Sequence, residues 1–118
     1  MKVLTRQEAI DILYGCTVVG TGGGGSLAAG LRMIEKDYDE GKALKLMSLE
    51  EIPDDGLVAS PYGCGATLCE GEEADPQYKD LPRLSDSSAV LAFKTLEEYM
   101  GEKFCAVSST ELGGENTA

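Results

Sequence analysis

The spacing of apolar residues along the chain predicts three amphipathic helices. Apolar positions recur every three or four residues after Thr5, after Ser26 and after Asp86, which is the period of a helix with one buried face. Thr5 and Glu8 have the spacing of a capping box, and Gly101 is typical of a helix end. We therefore expect helices beginning near Thr5, Ser26 and Asp86.

Short apolar segments between these helices predict strands. Residues 43–47 alternate between apolar and polar, whereas residues 57–60 and 104–107 are short apolar runs; residues 17–19 favour a fourth, very short strand. Residues 69–84 indicate no regular element beyond a turn. The expected class is α/β, a small sheet flanked by helices, as an incomplete part of a larger two-domain protein. A complete two-layer α+β domain is the alternative.

Composition narrows the possible partners and location. The 118 residues, 42% of them hydrophobic, suffice for one N-terminal α/β domain over 1–118. The net charge of −11 repels phosphate backbones and anionic lipid, so we predict no nucleic-acid and no membrane partner. We expect no secretion signal, and the irregular spacing of the four cysteines favours reduced thiols and a cytoplasmic location.

The chain contains no histidine, which removes several catalytic chemistries. These residues alone can form neither a Ser-His-Asp relay nor a histidine-ligated zinc site. A general base supplied by this chain must therefore be a carboxylate, a lysine or a thiolate. The sequence indicates no particular cofactor.

A run of glycines before the second predicted helix is the strongest local feature. Gly20, Gly22 and Gly25 formally match the G-x-G-x-x-G pattern, and the backbone N–H groups of a helix N-terminus suit an anion or a carbonyl oxygen. Ser26 follows where a Walker phosphate loop would have lysine. Nucleotide binding, a tight structural turn and a substrate-facing loop all remain open at this point.

Two residues near glycines are candidates for catalysis. Thr21 lies in the glycine run and has no evident structural duty, whereas Ser26 is explained as an N-cap. Glu111 follows the last predicted strand, where α/β proteins often place catalytic carboxylates, although a simple turn would also explain it. Thr21 and Glu111 are therefore the predicted catalytic residues.

Cysteines in the middle of the chain offer another candidate site. Cys64 and Cys69 flank a glycine-containing segment that continues into an acidic run. Their spacing is not that of a standard zinc pair, so we predict no metal site. A reactive Cys64 or plain packing of a small residue are the other readings.

The glycine run, together with three later motifs, resembles the N-terminal domain of the S-methyl-thiohydantoin desulfurase-like family. The similar segments are residues 15–25, residues 52–58, the loop of Gly63, Gly65 and Ala66, and residues 111–116. The resemblance implies a longer protein with a second domain, acting hydrolytically on a cyclic amide, imide or thiohydantoin. It also implies a small-molecule substrate, and a chain that forms a homo-oligomer or is completed by a C-terminal domain.

These observations combine into one predicted pocket. The expected substrate-binding residues are Gly22, Gly23, Gly24, Gly25, Cys64 and Asn116. We expect residues 22–25 and 111–116 to meet at one sheet edge, because each segment follows a predicted strand. Replacing Gly23 by valine should then abolish turnover with little change in melting temperature. A noncatalytic nucleotide-binding, anion-binding or assembly module is the alternative function.

Overall fold

The described part of the chain forms three helices and four short strands. The computed structural model describes residues 1–65, 76–78, 80–82, 84 and 86–118, so Cys69 and the acidic run after it lie outside the described residues. In chain order the elements are β1 (Lys2–Val3), α1 (Arg6–Gly20), α2 (Leu27–Asp39), β2 (Lys45–Leu46), β3 (Val58–Ala59), α3 (Ser88–Met100) and β4 (Ala106–Val107), with 3-10 turns at Leu49–Glu51 and Pro76–Tyr78. The predicted α/β class is confirmed.

Helix α1 begins at the predicted capping box. The Glu8 backbone N–H donates to the Thr5 hydroxyl at 3.3 Å, and the Thr5 backbone N–H donates to the Glu8 carboxylate at 2.9 Å. Both interactions satisfy donors that a helix start leaves without intrahelical acceptors. Ser26 caps α2 in the same way, accepting from the Ala29 N–H at 3.4 Å. The local sequence therefore determines both helix starts.

The predicted strand at residues 17–19 is wrong, because α1 continues through it to Gly20. The Thr17 hydroxyl donates to the Leu13 carbonyl oxygen at 2.8 Å, as hydroxyl side chains do inside helices. Extending an existing helix adds one hydrogen bond per residue, whereas a strand needs a partner, and none of the described strands lies beside this segment. Cooperativity of the helix thus outweighs the β-branched residues' strand preference.

The buried core lies mainly between α1 and α2. Leu4, Ala9, Leu13 and Ile34 form its buried cluster. The Tyr38 hydroxyl donates to the Leu4 carbonyl oxygen at 2.9 Å and so ties α2 to the chain just before α1. Burial of each larger aliphatic side chain contributes about 1.5–3 kcal/mol. This packing fixes α1 against α2, the two helices that the loop between them connects.

The predicted single sheet is wrong, because the described strands form two separate pairs. β1 pairs antiparallel with β2, and β3 pairs in parallel with β4, with Val58 opposite Ala106. β2, from the predicted 43–47 strand, pairs with residues at the start of the chain that carried no strand signal. The predicted strands at 57–60 and 104–107 do pair, with α3 in the connection between them, as in a βαβ unit.

Helix α3 begins at Ser88, two residues after the predicted start, and ends at Gly101 in the left-handed conformation. None of its residues is buried. The Phe93 and Phe104 rings pack with centroids 5.1 Å apart, and Glu97 accepts from the Phe104 backbone N–H at 3.2 Å. These contacts attach α3 to the chain entering β4 and leave much of its apolar surface exposed.

No helix within the described ranges combines the length and hydropathy needed to cross a lipid bilayer.

Acid is expected to weaken α1 through Glu8. The Lys2 ammonium and the Thr5 backbone N–H donate to this carboxylate, and they lower the pKa of Glu8 from 4.5 to about 2. A lowered carboxyl pKa stabilises the fold above the unfolded-state pKa, and this contribution is lost as pH falls from 4.5 towards about 2. Glu8→Gln should therefore lower the urea midpoint near neutral pH. It should have no effect below about pH 2, where Glu8 is protonated in both the folded and the unfolded state. Glu98→Gln, which removes a charge from exposed α3, is the control; equal pH profiles for both variants would contradict this expectation.

Candidate functional site

The connection between α1 and α2 is a tight loop whose backbone requires glycine. Gly22, Gly24 and Gly25 have φ values of 99°, 72° and 85°, in the region that only glycine enters without a steric penalty. The Gly23 N–H donates to the Gly20 carbonyl oxygen at 2.8 Å and closes a turn. We call residues 21–26 the glycine loop.

Thr21 has a structural role that the sequence did not indicate. It is the C-cap of α1 at φ 49°, and its backbone N–H donates to the Val18 carbonyl oxygen at 3.2 Å. A left-handed conformation costs a non-glycine residue about 1–2 kcal/mol, and it is uncommon for a β-branched side chain. The Thr21 side chain is exposed and makes no hydrogen bond within the described part of the chain. A strained, unengaged hydroxyl of this kind is a reasonable functional candidate.

Residues 108–118, which follow β4, pack directly across the glycine loop. The backbone N–H groups of Glu115 and Asn116 both donate to the Gly24 carbonyl oxygen at 2.9 Å. Gly113 and Gly114 are buried against the loop. A Cβ built on Gly24 would lie 2.3 Å from the Leu112 carbonyl oxygen, so a side chain there would collide with the backbone. We call residues 108–118 the 108–118 segment.

The expected proximity of the glycine loop to residues 111–116 is therefore confirmed, but its predicted cause is wrong. Only one of the two segments follows a strand, β4, because the glycine loop follows helix α1. The approach depends instead on paired glycines, since Gly24 and Gly113 have no side chains to separate the two backbones. Backbone contact rather than a shared sheet edge assembles this part of the site.

Asn116 joins a third segment to the same place. Its side-chain oxygen accepts from the Gly63 backbone N–H at 2.9 Å, and its side-chain nitrogen donates to the Gly63 carbonyl oxygen at 3.2 Å. The Asn116 side-chain amide thus makes both of its hydrogen bonds to the backbone of Gly63, as a paired residue of a neighbouring strand does. Because the Asn116 backbone also donates to Gly24, this residue connects the glycine loop to the loop that carries Cys64.

An open cleft begins at this connection and extends along α3. Its volume is about 440 Å³. The lining residues are Ala59, Ser60, Pro61, Tyr62, Gly63 and Cys64 on one side and Ser88, Ala89, Ala92, Phe93 and Leu96 of α3 on the other. Small-molecule sites commonly measure about 300–1,000 Å³. We call this space the Cys64 cleft.

Comparison with models of protein families shows to which family the chain belongs. The model of the family described as S-Me-THD-like, N-terminal domain, matches residues 7–118. The chain belongs to this family. The match includes all three contacting segments: the glycine loop, the Gly63 loop and the 108–118 segment. No curated protein and no solved structure matches the chain.

In this S-Me-THD-like domain the other predicted site residues lie at the surface around these contacts. Glu111 is exposed and makes no hydrogen bond or ion pair within the described ranges. Its neighbour Leu112 contacts Gly20, whose Cβ would lie 2.5 Å from the Leu112 carbonyl oxygen. Thr21 and Glu111 therefore flank one backbone contact. Cys64 is an exposed free thiol at the cleft.

Glu115 is the residue of the S-Me-THD-like domain that sequence reasoning missed. A Cβ built on Gly25 would lie 2.4 Å from the Glu115 Cβ and 2.9 Å from a carboxylate oxygen of that residue. This places the carboxylate beside the N-terminus of α2, where the helix dipole favours negative charge. The available signal was an acidic residue directly after the Gly113–Gly114 pair.

Two other interpretations of the S-Me-THD-like domain change with the structure. The dinucleotide fingerprint needs a strand before its glycines, but Gly20 is the last residue of helix α1, so the nucleotide interpretation loses its structural context. Among the residues that the structure describes, no three cysteine or acidic side chains group as metal ligands. Cys69, with which Cys64 was considered, lies outside the described ranges.

Proposed function

We propose that this domain supplies the substrate-binding wall of a hydrolase acting on a cyclic amide, imide or thiohydantoin-type small molecule. The observation that carries the proposal is the junction at Asn116, which joins the glycine loop to the Cys64 cleft. Family membership supports the substrate class. Asn116 thereby links the segments that carry the loop's backbone donors, the Thr21 hydroxyl and the Glu111 carboxylate to the loop that carries the Cys64 thiol.

Backbone donors of the glycine loop suit the charge that develops during such a reaction. Within the described ranges, the N–H groups of Gly22, Gly24 and Gly25 have no acceptor, whereas that of Gly23 is committed to Gly20. Three unengaged N–H groups in the loop before a helix can donate to a ring carbonyl oxygen, and this interaction strengthens as the oxygen becomes an oxyanion. Gly23 then shapes the loop rather than donating.

Glu111 is the proposed base for this reaction. Water adds to the ring carbonyl carbon, its proton passes to the Glu111 carboxylate, and the displaced electron pair moves to the carbonyl oxygen. Collapse of this intermediate breaks the ring C–N bond, and the proton moves from Glu111 to the departing nitrogen. In a chain without histidine, an exposed carboxylate beside the glycine loop can perform both transfers. Thr21 is proposed to orient the water or the ring.

Replacing Gly23 by valine tests the glycine loop. Gly23 does not have a left-handed φ, and its Cβ would lie 3.3 Å from the Gly20 carbonyl oxygen, so the variant should fold with a small change in melting temperature. The larger side chain should shift the neighbouring N–H groups and abolish binding of hydantoin and thiohydantoin, measured by calorimetry. Gly15→Ala, in a helical position with open space around it, is the control.

The outcomes of this titration separate the functions. Binding of hydantoin or thiohydantoin by wild type, lost in Gly23→Val, supports the hydrolase proposal. Unchanged affinity in Gly23→Val would place the site elsewhere, and binding of nucleotides alone would favour the anion-binding alternative.

One observation favours the assembly alternative. Tyr99 of α3 is 85% exposed, and Val90 and Met100 on the same helix are also exposed. Apolar surface of this kind is typical of surfaces that another polypeptide covers. We propose that a second copy or a further domain of the protein packs here. Absence of ring-ligand binding together with concentration-dependent association would make assembly the primary function.

A further inference from the structure

The Cys64 cleft has a chemical division that the proposed function does not use. Its α3 side presents the small side chains of Ala89 and Ala92 together with Phe93 and Leu96, all apolar. The Phe93 ring is held by Phe104, with centroids 5.1 Å apart, so this wall has a fixed element. An apolar wall with space in front of it fits a hydrophobic group rather than a polar ring.

The opposite side of the cleft carries polar side chains and is linked to the glycine loop through Asn116. Tyr62 and Cys64 carry polar side-chain atoms that have no hydrogen-bond partner within the described residues. Gly63 lies between Tyr62 and Cys64 and is held by Asn116, which also bonds to Gly24. A ligand with a polar ring towards this side would therefore extend its substituent along α3.

We propose that the Cys64 cleft is the subsite for the apolar side group of the ring substrate, and that Ala89 and Ala92 set the size of the group it accepts. This inference rests on the proposed function and names the substrate class more narrowly: a cyclic amide or thiohydantoin with an aromatic or aliphatic substituent. The volume of about 440 Å³ is that of a small-molecule site rather than of a helix groove.

The test compares benzylhydantoin with unsubstituted hydantoin on the full-length protein by calorimetry. Wild type should bind benzylhydantoin about tenfold to a hundredfold more tightly, because the phenyl group leaves water. Ala92→Phe should remove this preference by lowering the affinity for benzylhydantoin far more than the affinity for hydantoin. Thr95→Phe, which adds the same ring to α3 outside the cleft, should keep the preference. Leu96→Ala removes part of the apolar wall without adding bulk. It should weaken the binding of benzylhydantoin but not that of hydantoin.

A second readout locates the bound group. Benzylhydantoin should slow the alkylation of Cys64 by iodoacetamide, followed by peptide mass spectrometry, and leave that of exposed Cys105 unchanged. Equal affinity of wild type for both probes, or a preference that survives both Ala92→Phe and Leu96→Ala, overturns the subsite but leaves the proposed function standing. Failure of wild type to bind either probe overturns both.

Discussion

Replacing Gly30 by alanine is expected to release the 108–118 segment from the glycine loop. Gly30 lies in α2, and a Cβ on it would lie 1.8 Å from the Gly114 carbonyl oxygen and 3.1 Å from the Ala118 Cβ. Neither backbone can move aside without breaking contacts, because α2 is packed on α1 and Gly114 is buried. Alanine favours a helix over glycine by about 1 kcal/mol, so helix propensity alone predicts the opposite effect.

The expected consequence is a loss of about 1–3 kcal/mol in the free energy of unfolding, as for other overpacked positions, measured by urea titration. Hydrogen exchange gives a local measurement, because the Glu115 and Asn116 amides donate to the Gly24 carbonyl oxygen and should exchange much faster in the variant. Gly15→Ala is the matched control in α1, where nothing lies within 4 Å of the added carbon, and it should stabilise the protein. Slow exchange of both amides in Gly30→Ala would contradict the described packing.

What the sequence predicts well here depends on residues close together in the chain. Thr5 and Glu8 are three positions apart and cap one helix, and Gly101 ends another in the left-handed conformation. These features are properties of a single turn, so no distant contact is needed to form them. The starts of α1 and α2 and the end of α3 therefore followed from local signals.

The secondary structure predicted from the sequence was wrong where contacts with residues distant in the chain determine it. Residues 17–19 have strand-forming side chains, but they continue α1 because no described strand lies beside them. Lys2–Val3 forms a strand only because β2 pairs with it, and two polar-apolar residues carry no such signal alone. Secondary structure at these positions follows tertiary context, which overrides local preference.

The candidate site likewise has features that local sequence predicts and features that depend on long-range contacts. Its glycine loop and the pair Gly113 and Gly114 were visible as composition, and their contact was expected. The two-point bond between Asn116 and Gly63 spans 53 positions, and no local pattern indicates it. The cleft depends on the placement of α3 beside the Gly63 loop, which is likewise a tertiary property. The glycines of the site were therefore predictable from the sequence, whereas the hydrogen bonds by which Asn116 links two loops were not.

Replacing Asn116 by aspartate is expected to separate the Gly63 loop from the 108–118 segment near neutral pH. The side-chain nitrogen that donates to the Gly63 carbonyl oxygen at 3.2 Å becomes a carboxylate oxygen, so an attraction becomes a repulsion. Each lost hydrogen bond costs about 0.5–1.5 kcal/mol, and the facing oxygens add to this cost. The Gly63 amide should exchange faster, and Cys64 at the cleft should react faster with iodoacetamide.

Acid should partly reverse this effect, which distinguishes it from general damage to the fold. A protonated carboxyl group can donate to the Gly63 carbonyl oxygen, so the folded state favours the acid form and raises the pKa of the new side chain above its usual value of about 3.9. A carboxyl pKa raised by folding destabilises the protein above that pKa, and the penalty is relieved as pH falls through it. Asn116→Ala removes both hydrogen bonds without a titrating group, so its exchange rate at Gly63, relative to wild type, should not recover in acid. If the aspartate and alanine variants show the same pH dependence, the amide of Asn116 does not hold Gly63 in the way its geometry indicates.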